Sequence, residues 1–126
     1  MPAADRERAI LERLQVVCAY AYEHAPFYRR KWDEAGVHPS QLKSLEDFET
    51  KVPVVQKKDL REAQSRLPPF GDYRGSSPES WVRIGQTTGS SGRPTLIVWT
   101  EHDLAVDYAA SARARCRSSA SRAPTG

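Results

Sequence analysis

Two short runs rich in strand formers, Trp81-Val82-Arg83-Ile84 and Leu96-Ile97-Val98-Trp99, flank a polar segment, Gly85 to Thr95, that reads Gly-Gln-Thr-Thr-Gly-Ser-Ser-Gly-Arg-Pro-Thr. β-Branched and aromatic residues suit a pleated, half-buried surface, whereas the segment between them is built from turn formers. The pattern predicts a strand, a glycine-rich loop and a second strand: a rigid mount for a loop. It also confines any sheet to one place, because the apolar residues elsewhere recur mainly at helical spacing. The expected class is therefore α+β, with helices at both ends of a short two-strand element.

The loop carries chemistry that packing does not require. Gly89 and Gly92 lack Cβ, so the backbone there can take φ > 0 and approach a ligand closely. Successive N–H groups in such a turn can form an anion nest. Thr87, Thr88, Ser90 and Ser91 add hydroxyl donors, and Arg93 adds a permanent cation whose planar fork suits phosphate oxygens. By composition alone a Gly/Ser/Thr loop is more often a plain connection than a ligand cradle. It is not a Walker-type loop, because no Gly-Lys-Ser/Thr closes it and no helix starts directly behind it.

The rest of the chain reads as short helices with clear punctuation. Asp5 is a candidate cap for a first helix whose stripe is Ile10, Leu14, Val17 and Ala21, beside Leu11, Cys18 and Tyr22. Pro26 ends it, since Ala25 is pushed out of the α region, and a second helix runs from Pro26 to Gly36. Phe27, Tyr28, Trp32 and Ala35 form that helix's apolar side; Arg29, Arg30 and Lys31 read as a solvated face rather than an anion patch. Ser44 with Asp47, and Thr100 with Asp103, are capping pairs; Lys57 to Gln64 reads as a further helix. After Thr100 a last helix carries Leu104, Tyr108 and Ala112. Leu67 to Ser80, rich in Pro, Gly and Ser, reads as a surface loop whose length suggests a function or a missing partner surface.

His24, His38 and His102 share no metal-ligand spacing, so no metal site is expected, and no catalytic side chain can be assigned. Cys18 and Cys116 lie far apart and read as thiols of a reducing cytoplasm rather than a disulfide. Met1 to Leu14 is charged, without the apolar core of a secretory signal, and no run approaches a membrane span. A chain of 126 residues with 39% hydrophobic residues makes one domain with a lean core. Of the net charge of +3, the positive part lies in residues 113–126, where Arg113, Arg115, Arg117 and Arg122 have no acidic neighbour. A basic-tailed nucleic-acid binder is thus one reading, but no aromatic residue interleaves with the tail to stack on bases, and nucleic acid is not the expected partner.

Thr87-Thr88-Gly89-Ser90-Ser91-Gly92-Arg93-Pro94-Thr95 resembles the first signature loop of the adenylate-forming enzymes: acyl- and aryl-CoA synthetases, luciferases and peptide-synthetase adenylation domains. His24-Ala25-Pro26-Phe27-Tyr28-Arg29-Arg30-Lys31-Trp32-Asp33-Glu34-Ala35-Gly36 is similar to the opening of the phenylacetate–CoA ligases. So are Ser44-Leu45-Glu46-Asp47-Phe48, Val52-Pro53 and Lys58-Asp59-Leu60-Arg61. The ordered blocks cover most of residues 10 to 115. The resemblance implies an AMP-forming ligation in which a carboxylate attacks the α-phosphate of ATP, pyrophosphate leaves, and the thiol of coenzyme A then takes the acyl group.

By the same resemblance, Thr87, Thr88, Gly89, Ser90, Ser91, Gly92 and Arg93 would hold the β- and γ-phosphates of ATP, with Mg and coenzyme A as further cofactors and an aryl acid such as phenylacetate as substrate. Arg93 stands where a lysine is more frequent in the family, keeping the charge but altering its geometry. The family's motifs for adenine, ribose and Mg, and its late lysine, have no counterpart in these residues. The expectation is that residues 1–116 are a partial N-terminal region of the family's α/β layered ligase domain, ended early by truncation or a frame change. Residues 117–126, with no large apolar side chain, are expected to be a disordered basic tail. Such a chain would not turn over alone. The alternative is a stand-alone phosphate- or nucleotide-binding module, or one half of a split ligase awaiting a complementary polypeptide.

Overall fold

In the computed structural model the described residues are 2–87 and 94–120, with side chains described for 2–87 and 94–117. Five α-helices and one hairpin, with short 3-10 turns at Pro39–Gln41 and Pro78–Ser80, make up the described fold: α1 (Ala3–His24), α2 (Pro26–Glu34), α3 (Leu45–Lys51), α4 (Lys57–Arg66), β1 (Trp81–Gln86), β2 (Leu96–Thr100) and α5 (Glu101–Ala120). Helices stand at both ends of the antiparallel pair, as the spacing predicts. The register sets Gln86 opposite Leu96, Gly85 opposite Ile97 and Ile84 opposite Val98, with an irregularity between Trp81 and Arg83.

The punctuation acts where the sequence places it. Ala25 is extended (φ −116°, ψ 103°) between α1 and α2, with Pro26 opening the second helix. Gly36 takes φ +68° just beyond it, the left-handed conformation that favours glycine. Ser44 Oγ accepts from Asp47 N at 3.1 Å, while Asp47 Oδ2 accepts from Lys43 N at 2.9 Å. Asp5 is not the cap of α1. The helix begins two residues earlier, at Ala3 behind Pro2, so Asp5 lies inside the first turn, where its charge suits the helix dipole. At the other end α5 continues through Arg117 to Ala120, across the boundary expected at 116/117, because Arg, Ser and Ala contain no helix breaker. Residues 121–126 lie outside the described residues.

The core is small. Cys18, Trp32 and Leu42 are buried together, with Tyr22, Tyr28, Val37, Phe48 and Val52 packed around them. Gln15 Nε2 donates to Leu42 O at 2.6 Å and ties α1 to the segment before α3. Phe27 is buried beside Tyr28 and Tyr73. The basic run of α2 is not a solvated face. Arg30 pairs with Asp72 at 2.9 Å, Lys31 with Asp59 at 3.7 Å, and Arg29 donates to the Tyr22 and Glu23 carbonyls at the end of α1.

Candidate functional site

The segment from Leu67 to Ser80 is a strap that connects the helices to the hairpin. Phe27 N donates to Asp72 O at 3.1 Å, Tyr20 OH donates to Gly75 O at 2.6 Å, and Trp81 Nε1 donates to Ser76 Oγ at 2.9 Å. Gly71, at φ +68°, lets the strap lie against α4: a Cβ there would meet Ala63 C at 3.0 Å and Gln64 N at 3.1 Å. That approach sets Tyr73 beside Gln64 and the start of β2.

Gln64 then uses both ends of its amide. Its Oε1 accepts from Leu96 N at 2.7 Å and its Nε2 donates to Pro94 O at 3.2 Å. Tyr73 OH lies 2.6 Å from both Leu96 O and Gln64 Oε1, and its single proton serves one of these oxygens at a time. Burial pushes the Tyr73 phenol up, so it stays a donor. Between Pro94 and Leu96 the two stems close on each other: Thr87 N donates to Thr95 O at 3.0 Å and Thr95 N donates to Thr87 Oγ1 at 3.1 Å. Thr95 is only 3% exposed, and its own Oγ1 is buried without a partner among the described residues.

Of the residues expected to bind phosphate, Thr87 stands at the exit of β1, in the clasp with Thr95. Thr88, Gly89, Ser90, Ser91, Gly92 and Arg93 lie outside the described residues. Both stems are thus tied down, the entry stem through Thr87 and the exit stem through Pro94, Thr95 and Leu96. Among the described residues no group of three or more His, Cys, Asp or Glu side chains is arranged to hold a metal. No disulfide joins Cys18 and Cys116. Burial raises the Cys18 thiol and keeps it protonated. Thr95 closes the signature run, but sequence reasoning missed Gln64 and Tyr73. No local pattern marks them, since the Gln64 bonds span 30 and 32 residues.

The chain is 41% identical over 95 residues to the phenylacetate-coenzyme A ligase of Thermus thermophilus, covering 75% of this chain and 20% of that protein. The Escherichia coli phenylacetate-coenzyme A ligase is 39% identical over 93 residues, again covering 20% of its length. A solved structure of 2-hydroxyisobutyryl-CoA ligase, in complex with 2-HIB-AMP and CoA, superposes with TM-score 0.76 at 60% identity. That match covers 82% of this chain and 22% of the other. The chain thus spans about a fifth of the length of the curated relatives it matches. No family model matches it.

Proposed function

This chain belongs to the adenylate-forming enzymes, in the likeness of their phenylacetate–CoA ligases, and from that premise we propose that it carries the ATP-phosphate-binding loop of an AMP-forming CoA ligase. Its helices and hairpin are the N-terminal part of such a ligase fold. The observation that supports the reading is the mount: the Thr87–Thr95 clasp closes the two ends of the signature loop and the Gln64 amide holds its exit stem. Thr87, Thr88, Gly89, Ser90, Ser91, Gly92 and Arg93 are assigned to the β- and γ-phosphates, where N–H and hydroxyl donors and one guanidinium offset charge. Bound ATP supplies an activated phosphorus for transfer to a carboxylate. Magnesium finds no donor cluster of His, Cys, Asp or Glu among the described residues. Coenzyme A is the acyl acceptor and the cytoplasm the assigned compartment. The chain alone is expected to show no ATP–pyrophosphate exchange with phenylacetate.

The acid is an aryl carboxylate by likeness to the phenylacetate ligases. A short branched 2-hydroxy acid is the second reading, favoured by the higher identity to 2-hydroxyisobutyryl-CoA ligase. A complementary polypeptide bearing the rest of a ligase is favoured by the exposed apolar residues Val16, Val17 and Val106. Calorimetric titration of ATP and pyrophosphate into the chain tests the phosphate reading. Arg93→Ala, and the Thr87→Ala, Arg93→Ala pair, are expected to weaken binding by about tenfold or more, about the strength of one charge-assisted contact. Equal affinity in parent and variants overturns it.

A further inference from the structure

We infer that Gln64 is a positioning residue for the glycine-rich loop, fixing its exit stem to α4 so that phosphate affinity depends on a side chain that does not touch the ligand. The inference rests on the phosphate reading of the loop. Three groups converge on the Gln64 amide: Leu96 N on Oε1 at 2.7 Å, Pro94 O on Nε2 at 3.2 Å, and Tyr73 OH, 2.6 Å from Oε1 and equally close to Leu96 O. The amide orientation is determined by its partners, since an N–H needs the oxygen and a carbonyl needs the nitrogen. Gln64 and its neighbour Ala63 are in turn held by the strap at Gly71, which a side chain would force away from α4. The bonds reach residues on both sides of Thr95, whose backbone holds Thr87. One amide therefore sets the position of the exit stem, and the clasp passes it to the entry stem. Ligand contacts gain when their mount is fixed beforehand, because less ordering is left to binding.

The test uses the full chain with Gln64→Met, which keeps the side-chain volume and removes every hydrogen bond, and Gln64→Glu, which keeps the acceptor for Leu96 N. Hydrogen exchange at the Leu96 amide is expected to accelerate about tenfold or more in Gln64→Met and to recover in Gln64→Glu, while amides of α2 keep the parent's rate. Pyrophosphate affinity is expected to fall about tenfold in Gln64→Met. Unchanged Leu96 exchange in Gln64→Met, or exchange that accelerates with affinity intact, overturns the inference. A parent chain that binds neither pyrophosphate nor ATP overturns the phosphate reading and the ligand half of this one; the Leu96 exchange still decides the anchoring half.

Discussion

Phe27 shows what one side chain carries in a core this small. It is 1% exposed, meets Tyr28 and Tyr73 edge-on, and donates its backbone N–H to Asp72 of the strap. Phe27→Ala leaves a cavity where helix and strap meet. A loss of about 3–5 kcal/mol is expected, a large share of the stability of any small domain. Urea unfolding followed by circular dichroism checks it, and a loss under about 1 kcal/mol would mean the site collapses to fill the void. Asp47 sets a pH response. The Lys51 ammonium, and then the Lys43 N–H, hold its carboxyl below the usual value, and the Gln56 N–H does the same for Asp59. A depressed carboxyl contributes stability that is complete above its unfolded pKa and is lost as pH falls through the folded one. The urea midpoint is therefore expected to fall on acidification below the ordinary carboxylate range, with a shallower fall in Asp47→Asn.

At the scale of the element, α5 and the hairpin depend on different local devices. Thr100 and Asp103 close a reciprocal cap: Asp103 Oδ2 accepts from Thr100 N at 2.9 Å and Thr100 Oγ1 accepts from Asp103 N at 3.2 Å. Asp103→Ala is expected to cost about 1 kcal/mol and to speed exchange in the first turn of α5. In the hairpin, Gly85 leaves room for the Trp99 ring, since a Cβ there would stand 2.5 Å from Trp99 Cζ3. Gly85→Ala is therefore expected to displace the Trp99 ring from Arg83, which now lies 5.3 Å from its centroid. A shift of indole emission reads this out, and an unchanged spectrum contradicts it. The caps, the Pro26 break and the paired strands were legible because each is chemistry within a few residues. Asp5 misled because an acidic residue serves equally inside a first turn. The strap was legible only as turn-forming composition; its partners, Tyr20, Phe27, Arg30 and Leu96, lie far away in sequence.

For the whole molecule, the buried cluster lies on one side of α1, and the other side stays open. Val16, Val17 and Tyr20 face Leu96 and Val106 across a groove of about 970 Å³. Val16 is 69% exposed and Tyr108 61%. Apolar surface of this extent favours association. Sedimentation velocity is expected to show species heavier than the monomer as concentration rises, and Val16→Glu with Val106→Glu to restore the monomer. A monomer at every concentration would show that the groove is tolerated in water. Of this face the sequence showed only the lean hydrophobic content and the helical spacing of Val17, because the groove is built by residues far apart in the chain. The clasp between Thr87 and Thr95 closes the frame on both sides of residues 88–93, so folding of the scaffold is expected to be independent of the side chains at those positions. Exchanging residues 88–93 for a Gly-Ser sequence of equal length is expected to leave the melting transition in place while weakening the proposed phosphate binding, so that recognition and folding come apart.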